Sequence, residues 1–240
     1  MRRGGARAVA KILAVDVGGS GLKVALIDRR GRMLTERRRV RTPHPSPPRV
    51  VLRALGELVG PLPLDASVIG VSVGFPGVVR DGRVITAPNL GSDDWKGFDL
   101  SRALGRLWRK PVRVINDADM QGLGAARGRG IEMVITLGTG FGTALLVDGR
   151  LAPHLELSHH PFRKGETYDQ QLGDVARRKV GNRKWNRRVK RAIDTLRRLV
   201  NFDAIYVGGG NARRLDAGLA ADVHVVANDC GMKGGAGLWR

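Results

Sequence analysis

The sequence predicts an α/β protein of two lobes around a shared cleft, and three observations carry that expectation. A strand–glycine turn–strand unit occurs twice, in Val15-Asp16-Val17-Gly18-Gly19-Ser20-Gly21-Leu22-Lys23 and around Gly138-Thr139-Gly140-Phe141-Gly142. Several short apolar runs stop on glycine or polar residues: Val68 to Val73 at Gly74, Val112 to Ile115 at Asn116-Asp117, and Ala204 to Val207 at Gly208-Gly209-Gly210-Asn211. Stretches of helical spacing separate these runs. In open α/β sheets ligands gather at such strand ends.

Taken in order, the apolar run Ile12 to Val15 delivers Asp16 to a strand end, and Leu22 to Ile27 returns from the turn. Three glycines let that turn lie close to a ligand. Its backbone N–H groups form a nest suited to phosphate oxygens, with Asp16 suited to a hydrated Mg²⁺. An ordinary hairpin would look the same, and the helix that follows a Walker A loop is missing. Met33 to Val40 reads as a third antiparallel strand. Thr42-Pro43-His44-Pro45-Ser46-Pro47-Pro48 is a turn-rich connector. Val51, Leu52, Leu55, Leu58 and Val59 then repeat at helical spacing until Pro61-Leu62-Pro63.

Asp81-Gly82 makes a turn, Ala87 to Trp95 a loop, and Leu100 to Trp108 a helix. The second lobe opens with a helix around Asp119 to Arg127, followed by paired strands Met133 to Leu137 and Thr143 to Val147. Next are expected a polar loop from Ala152 to Gly165, two helical stretches, a strand at Val223 to Val226, and a small-residue helix from Gly231 to Trp239. The lobes are placed at residues 1–117 and 118–240. Two similar turns facing each other would clamp a phosphate from both sides.

Composition narrows the function classes. The chain has 240 residues, 42% hydrophobic and 27% charged, which suits a folded globular protein rather than a disordered one. Aromatic residues make up only 5%, which argues against a base-stacking nucleic-acid platform. Cys230 is the single cysteine and no metal-ligand spacing such as C-x₂-C is present, so a reducing, cytoplasmic setting is expected. Met1 to Arg7 reads as a frayed terminus, and no segment approaches the roughly 20 apolar residues of a membrane span.

The net charge is +20. Between Arg177 and Arg198 eleven cations face only Asp194, a local excess of +10, while Val189, Ala192, Ile193, Leu196, Leu199 and Val200 form an apolar stripe. Such a run is either a solvated face or a track for a linear polyanion, attracted through Coulomb forces and counterion release. A basic module that holds nucleic acid is the other class to consider. The low aromatic content and the lack of a nucleic-acid motif disfavour it.

The order of these glycine-rich strand ends resembles a known family. Asp16-Val17-Gly18-Gly19-Ser20-Gly21-Leu22-Lys23 resembles the first phosphate motif of actin-like sugar kinases. Gly74-Phe75-Pro76-Gly77, Pro88-Asn89-Leu90, Asn116-Asp117-Ala118, Leu137-Gly138-Thr139-Gly140-Phe141-Gly142 and Gly208-Gly209-Gly210-Asn211 are similar to those of the ROK group. Most of its members follow Glu-x-x-His with clustered zinc-binding cysteines. Here Glu156-Leu157-Ser158-His159 is followed instead by His160-Pro161-Phe162-Arg163-Lys164-Gly165, Thr167-Tyr168-Asp169 and Lys184-Trp185-Asn186-Arg187-Arg188-Val189. That series resembles the polyphosphate glucokinase branch, with Asp169 where that branch carries Glu.

The resemblance implies a two-lobed actin-like ATPase (ribonuclease H-like) fold with a cleft between the lobes. It also implies Mg²⁺-dependent transfer from polyphosphate, with ATP as a second donor, to the 6-hydroxyl of glucose. Asp117 would be the base. Asn89, Asn116, Asp117, Glu156, His159 and Asp169 would contact sugar. Gly18, Gly19, Ser20, Gly21, Lys23, Gly138, Thr139 and Gly140 would hold phosphate, although Lys23 would equally serve pointing off its strand. Asp16 would orient the metal through water, and Gly208, Gly209, Gly210 and Asn211 would lie under a nucleotide. Arg183, Lys184, Arg187, Arg188 and Arg191 would form the polyphosphate track. Glu156 and His159, three apart, would share the face of one helical turn; they supply too few ligands for zinc. Relatives commonly pair, so a homodimer is expected.

Overall fold

The computed structural model describes residues 9–91, 93–227 and 229–240; the expectation for Met1 to Arg7 falls outside them. Strands β1 (Lys11–Val17) and β2 (Leu22–Asp28) form the antiparallel hairpin around the first glycine turn, and β3 (Arg38–Val40) joins β2. The third strand is shorter than expected because Thr35 interrupts the ladder: its hydroxyl, not a backbone carbonyl, accepts from Leu26 N at 3.0 Å. After α1 (Pro48–Val59), β4 (Val68–Phe75) runs parallel to β1. A hairpin of β5 (Val79–Arg80) and β6 (Arg83–Val84), α2 (Leu100–Trp108) and β7 (Val112–Asn116) complete the first half, giving the order β3-β2-β1-β4-β7.

The second sheet repeats this plan. Helix α3 (Asp117–Ala125) leads to β8 (Ile131–Leu137) and β9 (Phe141–Val147), antiparallel around the second glycine turn, with β10 (Arg150–Leu151) on the outer edge. Here β11 (Pro161–Arg163) and β12 (Glu166–Thr167) form a hairpin within what was expected to be loop. Three helices follow where two were expected, because Gly173 and Gly181 separate α4 (Tyr168–Leu172), α5 (Asp174–Val180) and α6 (Asn182–Val200). Strand β13 (Ala204–Gly208) runs parallel to β8 and β14 (Val223–Val225), giving the order β10-β9-β8-β13-β14. The chain ends in α7 (Cys230–Gly234), continued by a 3₁₀ helix over Gly235–Trp239.

One face of the first sheet packs on α1 and α2 through Val51, Leu55, Leu100 and Leu104; one face of the second packs on α6 through Trp185, Val189, Ile193 and Leu196. On α6 the apolar stripe starts earlier than expected, at Trp185, whose indole donates to Leu172 O at 2.8 Å, and Leu199 is exposed. The other faces meet α7 and α3. Met232 and Ala236 cover Ile12, Ala14, Ala25 and Ile27. Helices α3 and α7 cross closely enough that a Cβ at Gly124 would overlap the Cys230 carbonyl. The C-terminal segment thus returns to the first sheet, and residues of both glycine turns line one cleft.

Candidate active site

Cross-strand register builds the first wall of the cleft. Arg39, Lys23 and Asp16 are successive partners across β3, β2 and β1, and Gly74 of β4 lies beside Asp16. Residues opposite one another in a ladder share a sheet face, so charge lines this edge and stops at a position with no side chain. The vacancy at Gly74 is filled from α3: a Cβ there would lie 2.8 Å from Met120 Cε and 3.3 Å from Asp117 Cα. Gly74 therefore lets the N-terminus of α3 close onto the sheet and puts Asp117 near Asp16. Lys23 does not point idly away; its Nζ pairs with Asp16 Oδ2 at 2.6 Å.

Asn116 is the N-cap of α3. Its Oδ1 accepts from Ala118 N at 2.8 Å while its Nδ2 donates to Gly77 O at 3.1 Å, so its amide is largely engaged by the chain itself. Asp117, the first helical residue, accepts from Ala118 N at 2.8 Å. Burial, with the charges of Asp16, Glu156 and Asp119, pushes its pKa from 3.8 to about 7, against that hydrogen bond. A carboxylate poised there exchanges protons near neutrality.

Both glycine turns line the same cleft of about 710 Å³, together with Asp16, Lys23, Asn89, Asn116, Asp117, Glu156 and Asp169. In the first turn Gly18 N donates to Gly21 O at 3.0 Å; Gly21 closes the turn without lining the cleft. Thr42 donates its hydroxyl to Gly18 O, and His44 Nε2 lies 3.2 Å from Gly19 O, so the proline-rich connector braces the turn. Asn89 packs on Gly19, where a Cβ would lie 3.1 Å from its own. In the second turn the Gly138 carbonyl accepts from Asp174 N at 3.0 Å and from Asn211 Nδ2 at 3.1 Å. Gly209, Gly210 and Asn211 line the cleft, whereas Gly208 is covered by the Gln121 amide.

Within the loop expected over Ala152 to Gly165, Glu156 and His159 do not share the face of a helical turn. Leu157 N and His160 N close short turns onto Leu155 O and Leu157 O, and His159 is exposed and absent from the cleft lining. Glu156 does line it, with Oε1 accepting from the Ser158 hydroxyl. Asp169 accepts from Phe141 N at 2.5 Å, tying α4 to the second turn, and burial raises its pKa. Sequence reading missed His154, which sits between Asp119 and Glu156. No local spacing announced it, because both contacts form only when this loop folds against α3.

The α6 cations expected to form the polyphosphate track are outside the cleft lining. Arg183, Lys184, Arg187 and Arg191 are exposed and Arg188 donates to Gln171 O at 3.2 Å, but none of the five is among the lining residues. The cleft's own cations are Lys23, Arg39, Arg178 and Arg213. Among the described residues no group of three or more His, Cys, Asp or Glu is arranged to hold a metal ion, and no helix is long and apolar enough to cross a membrane.

Paired sheets of matching topology, each presenting a glycine turn to one cleft, define a protein of the actin-like ATPase fold. The chain belongs to the ROK family, whose profile matches residues 12–154. It is 30% identical over 217 residues to the polyphosphate glucokinase of Mycobacterium tuberculosis (strain CDC 1551 / Oshkosh), covering 84% of this chain and 78% of that protein. Among solved structures, the inorganic polyphosphate/ATP-glucomannokinase of Arthrobacter sp. strain KM superposes with a TM-score of 0.84 at 32% identity, covering 96% of this chain and all of that one. A ROK family glucokinase from Streptomyces griseus, in complex with glucose and AMPPNP, shares the fold at 20% identity, with a TM-score of 0.79 and coverage of 95% and 98%.

Proposed function

We propose that this chain is a polyphosphate-dependent glucokinase that moves the terminal phosphoryl group of inorganic polyphosphate to the 6-hydroxyl of glucose, with ATP as a second donor. The observation that carries this is Asp117, its pKa pushed to about 7 at a strand end that shares a cleft with both glycine turns. Similarity to a polyphosphate glucokinase over most of both chains supports the donor. The retained Gly209-Gly210-Asn211 edge supports a nucleotide.

In the proposed reaction Asp117 takes the proton of the 6-hydroxyl as its oxygen attacks the terminal phosphorus. A new P–O bond forms, the bridging P–O bond breaks, and the electron pair leaves with a chain one phosphate shorter. Asn89, Glu156 and Asp169 orient the sugar; the two turns and Lys23 hold the donor's end. Arg39, Arg178 and Arg213 attract the chain within the cleft, and the exposed α6 cations act at longer range. Mg²⁺ fits this edge, because such ions take one or two carboxylates plus substrate phosphates rather than a full protein cage. Asp16, next to the nest, is the residue that would hold it, and the ion would neutralise charge on the transferring group. Pairing into a homodimer, which rests on the resemblance, and a cytoplasmic location, which rests on the single cysteine, belong to the same proposal.

The test incubates the chain with glucose, Mg²⁺ and either polyphosphate or ATP. Glucose 6-phosphate should form with polyphosphate. No product with either donor would overturn the proposal.

A further inference from the structure

Between α3 and the segment carrying Glu156 lies one imidazole to which the reaction above assigns nothing. His154 Nδ1 is 2.9 Å from Asp119 Oδ2, and its Nε2 is 3.6 Å from Glu156 Oε2. The side chain is only 15% exposed and that of Asp119 only 9%. Among the described residues no other cation lies within ion-pair distance of either carboxylate, and Asp119 Oδ1 is buried with no hydrogen-bond partner. Both contacts are at ion-pair distance and neither ring nitrogen makes a hydrogen bond of good geometry; two facing carboxylates favour the charged, doubly protonated ring. Burial alone would lower its pKa, but Asp119 and Glu156 outweigh that and raise it to about 9.

We propose that His154 is a positioning residue for sugar recognition: it ties Glu156 to α3, the helix that carries Asp117, and so fixes the acceptor that reads the sugar relative to the base that activates it. This rests on the reading of the cleft as a sugar-kinase site.

The electrostatics around Glu156 explain why the tie is needed. Asp16, Asp117, Asp119 and Asp169 converge on the same region, and Lys23 is already paired with Asp16. Without His154, Glu156 would keep only the Ser158 hydroxyl and the exposed His159, both away from α3, and the acidic floor would repel it toward solvent. His154 replaces that repulsion with an attraction on the α3 side, while His159 acts from the exposed side. Asp119 and Asp117 both belong to the first turn of α3, so the residue that holds His154 is carried by the same rigid turn as the base. His154 touches no reacting atom in this scheme. Its effect belongs to glucose binding rather than to the chemical step.

The experiment compares the wild-type chain with His154→Asn and His154→Leu, measuring glucose binding by calorimetry, KM for glucose and polyphosphate, kcat and thermal unfolding. His154→Asn should weaken glucose about tenfold while the polyphosphate KM stays within about twofold. Adding Glu156→Gln to His154→Leu should cost much less than Glu156→Gln in the wild type, because the pair acts as a unit. Unchanged glucose affinity, or equal losses for glucose, polyphosphate and kcat, would overturn the proposal. Unfolding of both variants would make His154 a structural pin, and would also overturn it. Calorimetry keeps the two readings apart: a wild type that binds glucose but transfers no phosphoryl group refutes the kinase, and the His154 comparison is still read.

Discussion

Asp117 couples acidity to stability in a direction that can be checked. Its carboxyl, raised from 3.8 to about 7 by burial and by Asp16, Glu156 and Asp119, binds its proton more tightly folded than unfolded. Between those values the native state therefore holds more protons, and this group's contribution to stability falls as pH rises through about 4 to 7. Asp117→Asn removes that loss. Its melting temperature should exceed that of the wild type at pH 8 and lose this advantage near pH 4. A melting temperature at or below the wild-type value at pH 8 would contradict the raised pKa. The place of Asp117 at a strand end was legible from the apolar run that Asn116-Asp117 terminates, while its role as base came from the resemblance. His154 and Thr42 were not, because each works through a contact made by the folded chain, with Glu156 or with Gly18, that no local spacing announces.

At the scale of elements, Gly74 decides how close α3 comes to β4. A Cβ at that position would press on Met120 Cε at 2.8 Å and on Asp117 Cα at 3.3 Å. Met120 has flexible bonds that can yield, but the helix backbone at Asp117 has less freedom. Gly74→Ala should lower kcat about tenfold with both KM values within about threefold, since a sub-ångström displacement of the base costs chemistry before binding. Steady-state kinetics would read this, and an unchanged kcat would contradict it. The two glycine-turn hairpins, α1, α2 and the strand ends were legible from periodicity and turn residues, whereas the β11–β12 hairpin was not. The loop from Ala152 to Gly165 was legible in part, but the shared helical face suggested for Glu156 and His159 was not realised, because short turns and the contact with His154 set the segment instead.

Charge is a property of the whole molecule. The excess of +20 should attract a long polyanion from any direction, and added salt should screen it within a Debye length of roughly 8–10 Å. Apparent affinity for polyphosphate should fall steeply between low and high salt while that for glucose stays flat. A polyphosphate KM independent of salt would contradict long-range capture. Placement then ranks the cations: Arg213 lines the cleft and Arg187 does not. Arg213→Ala should raise the polyphosphate KM several-fold more than Arg187→Ala, and the reverse order would return the track to α6. The density of the α6 run was plain from the sequence. That these cations do not line the cleft was not, because an amphipathic helix reveals which face docks but not what its other face looks toward.

The most direct test is turnover of Asp117→Asn beside the wild type from about pH 5.5 to 9, with glucose, Mg²⁺ and polyphosphate. The wild-type kcat should fall on the acid side of about pH 7, as the base takes up its proton. The variant should lose at least about a hundredfold at every pH, show no such limb and still bind glucose. Near-normal turnover in the variant would contradict the assignment of Asp117 as the base.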